Sequence, residues 1–478
     1  MILCNIKIPR RVAALLTSLV VFASAFSACD FVNPTKVRNP QTTEESLREG
    51  GTGATKPFLN GVRFRFADAI EDVAYYTDVA SDNYDNTSTF ISPQTDFPAA
   101  IFPSDLTLDS STSGPFFEVQ ELRALADFLL TGVIPNDAEA TGEQKAEALF
   151  YRGMANLLAA ENFVAVPIVE NGPALNSAQL LQLAIDDFKA ALATSQHADF
   201  PTRIHLVLAR AYRLAGDKVQ AAAEANLALA GSPNFVFFAQ YDAANNVNTC
   251  FNYAVSRSSN DVQPLPRLDF LDPKYSAQDA PIAAVKIEEA HLILAEVALA
   301  NGDNAGAVQS LVNVINLTKS RPVTTVADRD PRSGRPKGGT VQAGPNAPGL
   351  DGLILPRGGA SVPLSAISGT SLQASAVAAL TNPVEILYAL YLARQEIFFY
   401  EGRRMSDLGI RLPVMQREID TNILLNLGDP GTVAQVPAYI PADDGLDSFA
   451  ISGNNTIIAA DMNQVLADNR VSPFTLPF

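Results

Sequence analysis

The stretch "HLVLARAYRLAGDKVQAAAEANLALAGSP" occupies residues 205–233. Leu208, Ala209, Tyr212, Gly216, Ala221, Ala228 and Pro233 fall at the offsets of a tetratricopeptide unit. Each residue type has a physical task in such a unit. Ala209 and Ala221 let two antiparallel helices approach closely. Gly216 supplies the turn between them, and Pro233 stops the second helix. Reading outward, "LILAEVALANGDNAGAVQSLVNVI" (292–315) places Leu294, Ala295, Gly302 and Ala307 at the same offsets. A third pair is formed by "AEALFYRGMANLLAAENF" (146–163) and "SAQLLQLAIDDFKAALATS" (177–195). Three such pairs at irregular spacing are too few for a long solenoid. They predict a mainly α fold, a compact helical scaffold of tetratricopeptide-like pairs that carries long irregular insertions.

The flanking segments fit that frame. A further helix is predicted to start near Lys56, with Phe58, Val62, Phe66, Ile70 and Val73 at spacings of four and three. It runs into a loop of Asp, Asn, Ser and Thr carrying Tyr84 and Phe90. Residues 322–368 are dense in Gly and Pro and show no period, which predicts a long loop insertion. Asn382, Pro383 and Glu385 then read as N-cap, N1 and N3 of a helix.

The composition excludes several function classes. The 478-residue chain is 47% hydrophobic and carries a formal charge of −17. Enough apolar surface exists for a large core, and the acidic field repels phosphate backbones, so nucleic acid is not an expected partner. Only three His occur, which leaves little material for a His-based metal site, and no metal or cofactor is expected. No H-E-x-x-H, G-x-S-x-G or G-x-x-x-x-G-K-[ST] pattern is present, so no catalytic residue is assigned.

The N-terminus reads as an export signal over residues 1–28. Lys7, Arg10 and Arg11 precede the apolar "VAALLTSLVVF", which is too short for a comfortable membrane span. Small residues then lead to Cys29 in "ASAFSAC", where a thiol directly after the cleavage point can take a lipid thioether. The stretch looks like a bacterial lipobox, with Phe26 where Leu is commoner; ordinary secretory cleavage is the alternative. Cys4 lies in the signal and Cys29 would be lipidated, so Cys250 has no partner for an intramolecular disulfide. Residues 29–55 suit a tether, and 56–478 the folded domain.

One segment concentrates charge. "LARQEIFFYEGRRMSDLGIRLP" (392–413) sets Arg394, Glu396, Glu401, Arg403, Arg404, Asp407 and Arg411 around Gly402. Glu401 is expected to end a helix, Gly402 to be its left-handed cap, and Arg403 to begin a short second helix. Arg403 and Asp407 then stand at i, i+4, and Arg404 and Asp407 at i, i+3. A carboxylate flanked by arginines has its pKa pulled down, which is wrong for a general acid. Arg394, Glu396, Glu401, Arg403, Arg404 and Asp407 are therefore expected to form a partly buried ion-pair joint between helices rather than a catalytic site; a solvated turn is the other reading.

"RQEIFFYEGRRMSDLGIR" resembles the C-terminal signature of the SusD/RagB family, roughly R-x-E-x-x-x-E-G-x-R-x-x-D-L-x-R. Arg394, Glu396, Glu401, Gly402, Arg404, Asp407, Leu408 and Arg411 stand at or near the matching places. "AEALFYRGMANLLAAENFVAVPIVENG", "VKIEEAHLILAEVALANGDNAGAVQSLVNVINLTKSR" and "YTDVASDNYDN" are similar to other family segments, in the right order. The resemblance implies a non-enzymatic lipoprotein anchored in the outer membrane and exposed at the cell surface, with tetratricopeptide-like pairs as a scaffold and long irregular loops on the opposite face. It would bind nutrient oligomers, a glycan first and a peptide second, and pass them to a TonB-dependent transporter. In the family, ligand residues come mostly from loops. By position these are Asp82, Asn83, Tyr84, Asn86 and Phe90 here, then Phe251, Asn252, Tyr253 and Arg257. The absence of Trp departs from many sugar-binding members. The competing readings are a helical-repeat scaffold of the cell envelope and a hydrolase with carboxylates hidden in its loops.

Overall fold

The computed structural model describes residues 51–86, 93–255, 262–328 and 335–469. Helix α1 spans Thr55–Val79 and buries Leu59, Val62, Phe66, Ile70 and Val73, the positions its periodicity marks. It has no side-chain cap of its own. Asp137 supplies one from a distance, accepting from the Gly53 and Thr55 amides at 2.8 Å each. Strand β1 (Tyr84–Asn86) follows, and α2 (Pro115–Phe128) begins on a proline at its first position.

The three helical pairs are present. The first is α3 (Gly142–Asn162) and α4 (Ser177–Thr194), each opened by a capping box, Thr141 with Gln144 and Asn176 with Gln179. A hairpin of β2 (Ala165–Pro167) and β3 (Ala174–Asn176) connects them. The second is α5 (Phe200–Leu214) and α6 (Lys218–Gly231). After β4 (Val236–Ala239), β5 (Val262–Pro264) and β6 (Ile282–Lys286) comes the third, α7 (Glu288–Ala300) and α8 (Asn304–Ser320). The turns inside the second and third pairs use one device. Gly216 and Gly302 adopt φ of +78° and +77°, and the following Asp217 and Asp303 cap the next helix. Ala209, Ala221, Ala295 and Ala307 are fully buried where the paired helices meet.

The Gly/Pro-rich insertion is more ordered than its composition predicts. It carries β7 (Thr324–Ala327), β8 (Thr340–Gln342) and β9 (Ser361–Leu364). Strands β7 and β9 pair antiparallel, with Thr324 opposite Leu364. Strand β8 pairs parallel with β11, a strand near the C-terminus. Arg357 of the insertion binds Asp328 at 2.6 Å and Asp272 at 3.2 Å, and also meets Asp269. These strands are three or four residues long, too short to leave a period in sequence.

Helix α9 (Ala374–Ala378) precedes α10 (Pro383–Ile397), capped by the Asn382 side chain on the Val384 amide. Helix α10 stops at Ile397, four residues before the expected end at Glu401. Tyr400, at φ +59°, and Gly402, at φ +69°, then turn the chain into α11 (Arg404–Asp407). The chain finishes with α12 (Gln416–Thr421), the hairpin β10 (Phe449–Ser452) and β11 (Asn455–Ile458), and α13 (Met462–Asp468). Among the described residues no helix is long and apolar enough to cross a membrane. Cys29 and the signal segment lie outside the described residues.

Candidate functional site

The turn between α10 and α11 lies in the interior. Arg394, Glu396, Glu401, Arg403, Arg404 and Asp407 are each exposed by 5% or less. Asp407 accepts two hydrogen bonds from Arg394, at 2.7 and 2.9 Å, and one from Arg213 of α5 at 3.2 Å. Arg213 also grips Glu296 of α7, so the second and third helical pairs and the C-terminal turn share one charge chain. Burial raises the Asp407 pKa, but Arg394 and Arg213 outweigh it and hold the carboxyl below its ordinary range. Glu401 accepts from Lys274 and, at 2.7 Å, from Lys286. Burial pulls Lys286 down to about 8, with Glu401 opposing the shift.

These partners differ from those the spacing suggested. Neither Arg403 nor Arg404 pairs with Asp407 by side chain. Arg403 instead donates to the Ala284 and Glu401 carbonyls. Arg404 forks onto Asp82, with 2.7 Å from Nη2, and reaches Asn463 at 2.9 Å. Among the described residues no cation lies at hydrogen-bond distance from Glu396, which is held by the Thr370 hydroxyl and the Ser371 amide and hydroxyl. Burial pushes its pKa up, and those three donors oppose the shift.

The expected ligand loop is drawn into the same network. Asp82, Asn83 and Tyr84 are fully buried. Asp82 holds Arg404, Asn83 donates to Asp78 at 3.0 Å, and Tyr84 stacks on Phe399 at 5.3 Å. The three therefore present no surface to a ligand in this structure, because the residues after α1 dock under the α10–α11 turn. Asn86 is half-buried at the end of β1. Phe90 and Arg257 lie outside the described residues. Phe251, Asn252 and Tyr253 share a π-helical turn; Phe251 is buried, whereas Asn252 and Tyr253 are half-buried.

Tyr253 does reach a cleft. Its ring lies 4.3 Å from that of Tyr75, and both line a cavity of about 220 Å³ between α1 and α2. The cavity is acidic. Burial pushes Glu71 up to about 9 and Glu118 up to about 8, and Asp68 and Asp72 each to about 6. Thr249 binds both Glu71 oxygens at 2.7 Å, which opposes the rise.

A larger cleft of about 710 Å³ lies between α1, the start of α3, the start of α5 and β4. Its floor is aromatic: Phe66, Tyr151, Phe200 and Phe237, with the Arg203 guanidinium 3.7 Å over the Phe237 ring. At its edge Arg63 makes a bidentate contact with Glu147, 2.7 Å for each bond, and Tyr151 donates to the same carboxylate at 3.0 Å. Asn60, Gln240 and Asn246 add amide groups, and Phe64 is 40% exposed. Sequence reading missed this cleft. Its residues come from four elements spread between Asn60 and Asn246 and carry no motif.

Comparison with solved structures resolves the architecture. A SusD superfamily protein from Bacteroides fragilis superposes with a TM-score of 0.51 at 13% identity, covering 86% of this chain and 96% of that one. A second from Bacteroides fragilis gives 0.52 at 10% identity, covering 76% and 89%. The fold is that of the SusD superfamily. A SusD-like carbohydrate binding protein from Bacteroides vulgatus aligns at a TM-score of 0.47 and 14% identity, over 75% of this chain and 83% of its own. No protein-family model and no curated protein matches the sequence. Helix α1 contributes to both clefts.

Proposed function

We propose that the chain is a SusD/RagB-type surface lipoprotein that binds a nutrient oligomer, a glycan before a peptide, without cleaving it. It would be anchored through Cys29 in the outer membrane and hand its ligand to a TonB-dependent transporter. The superfamily fold and the SusD-like sequence segments support this reading. The observation that carries the choice of ligand is the 710 Å³ cleft, whose size lies in the range of ligand sites. Aromatic faces there can receive the C–H faces of a sugar ring. The Arg63–Glu147 pair and the amide groups offer fixed donors and acceptors to hydroxyls. This choice moves the expected site from the loops around residues 82–90 and 251–257 to the α1–α3–β4 cleft.

The test uses rim residues whose loss spares the core. Arg63→Ala and Phe64→Ala should weaken oligosaccharide binding tenfold or more, about 1.4 kcal/mol, with unchanged melting. Tyr253→Ala should bind as wild type does. The opposite pattern would place the ligand in the acidic cleft. A protein that binds no glycan or peptide but holds a protein complex together would be an envelope scaffold.

A further inference from the structure

A second group of acidic residues lines neither cleft. Asp85 belongs to β1, Asp96 ends the short helical turn Pro93–Asp96, and Asp447 follows the turn Asp443–Leu446 just before β10. One oxygen from each carboxylate lies within 4.8 Å of the others. Asp96 is 5% and Asp447 2% exposed, and Asp85 is half-buried. Acidic side chains gather often without consequence, so the surroundings decide.

Two observations set this group apart. Gln263 of β5 stands directly opposite Asp85 in the antiparallel β1–β5 pair, so both side chains rise from the same face of the ribbon. Gln263 is 4% exposed, and its amide oxygen has no hydrogen-bond partner. Asp447 Oδ2 is likewise buried without a partner. Leaving such acceptors dry and unpaired costs free energy that folded proteins avoid. Burial, then Asp96 and Asp85, push the Asp447 pKa well above the carboxylate range, against a backbone hydrogen bond that lowers it.

We propose that Asp85, Asp96, Asp447 and the Gln263 amide oxygen form a binding site for a divalent cation, specifically Ca²⁺. The donor set is all oxygen and irregular, which suits a hard cation that tolerates flexible coordination. Oxygens at Ca²⁺ distances can lie up to about 5 Å apart across the ion, so the observed spacing fits. Mg²⁺ gives up its waters reluctantly and prefers strict octahedral geometry, which an irregular site assembled from two paired strands and two turns does not offer. The scarcity of His is no obstacle, because no nitrogen ligand is needed. A bound ion would fasten β1, which follows directly on the Asp82–Asn83 anchor, to the C-terminal hairpin β10–β11.

The experiment titrates the chelator-treated full chain with Ca²⁺, in calorimetry and in thermal melts. One ion should bind, and Tm should climb with Ca²⁺ concentration and fall back when chelator is added. Equal concentrations of Mg²⁺ should raise it much less. Asp447→Asn should weaken Ca²⁺ binding at least tenfold. In chelator the same variant should melt no lower than wild type, because one of three crowded carboxylates has gone. Gln263→Leu removes the fourth oxygen and should weaken binding without adding or removing charge. No Ca²⁺ uptake by a folded wild-type chain at millimolar concentration would overturn the proposal. So would unchanged Ca²⁺ affinity in both variants.

Discussion

Replacing Arg404 with Met keeps most of the side-chain volume and deletes the charge. Arg404 is 1% exposed, and it is the fork that holds Asp82, itself fully buried. In the Arg404→Met protein the Asp82 carboxylate keeps the Gln395 amide at 3.0 Å but loses its cation, and Asn463 loses a 2.9 Å donor. Stranding a buried charge in this way costs about 3–5 kcal/mol. With an m-value of at least about 3 kcal/mol/M in urea for a chain of this size, the midpoint should fall by about 1 M or somewhat more. Equilibrium unfolding followed by circular dichroism reads the shift. Adding Asp82→Asn in the same chain should recover most of the loss, because the stranded charge disappears while an acceptor for Gln395 remains. That recovery separates a charge effect from a packing effect. A midpoint unchanged in Arg404→Met, together with lost oligosaccharide binding, would refute the reasoning and make Arg404 a ligand residue.

Three further outcomes can be checked. Glu71 is pushed up to about 9, so the folded state holds a proton that the unfolded state releases near 4.5; the resulting stability is present in full below pH 4.5 and is lost as pH rises through 9. Glu71→Gln should therefore flatten the decline in wild-type stability between pH 5 and 9, read from denaturant midpoints at each pH; an identical slope in the variant would contradict this assignment. Gly402→Ala should destabilise by about 1–3 kcal/mol, because φ is +69° and the added methyl would sit 3.1 Å from Val73 and 3.3 Å from the Ala74 backbone; a normal melting curve would show that the turn can relax. Cys29→Ala should release the protein from the outer membrane, and mass analysis of the wild-type N-terminus should find acyl chains; a variant that stays in the membrane would contradict the anchor.

The helical pairs were legible because their signals are local. A small residue at each helix contact, a glycine at φ near +78° and an aspartate N-cap lie within a few positions of one another around residues 216 and 302. The charged turn was legible in composition but not in partnership. Arginine-rich flanks announce that Asp407 will be ionised, yet Arg213, Lys274, Lys286 and Asp82 lie between 115 and 322 positions from the residues they bind. No spacing rule reaches that far, and the local i, i+4 pairing that spacing does favour is not formed. The loop residues misled for a related reason. Asp82, Asn83 and Tyr84 look like solvent-facing polar and aromatic groups, but Gln395 of α10, Arg404, Phe399 and Tyr400 supply partners that draw them into the core. The aromatic cleft left no local trace at all, since Phe66, Tyr151, Phe200 and Phe237 meet only through the packing of α1, α3, α5 and β4.

Calorimetric titration of the protein with a panel of neutral oligosaccharides and peptides, with product analysis of the same samples, tests the functional account most directly. At least one oligosaccharide should bind with a Kd between micromolar and millimolar, about −8 to −4 kcal/mol, and be recovered uncleaved. Binding should persist in moderate salt, because a neutral ligand releases no counterions. Turnover of a panel member would make the chain a hydrolase, and silence across the panel would contradict nutrient binding.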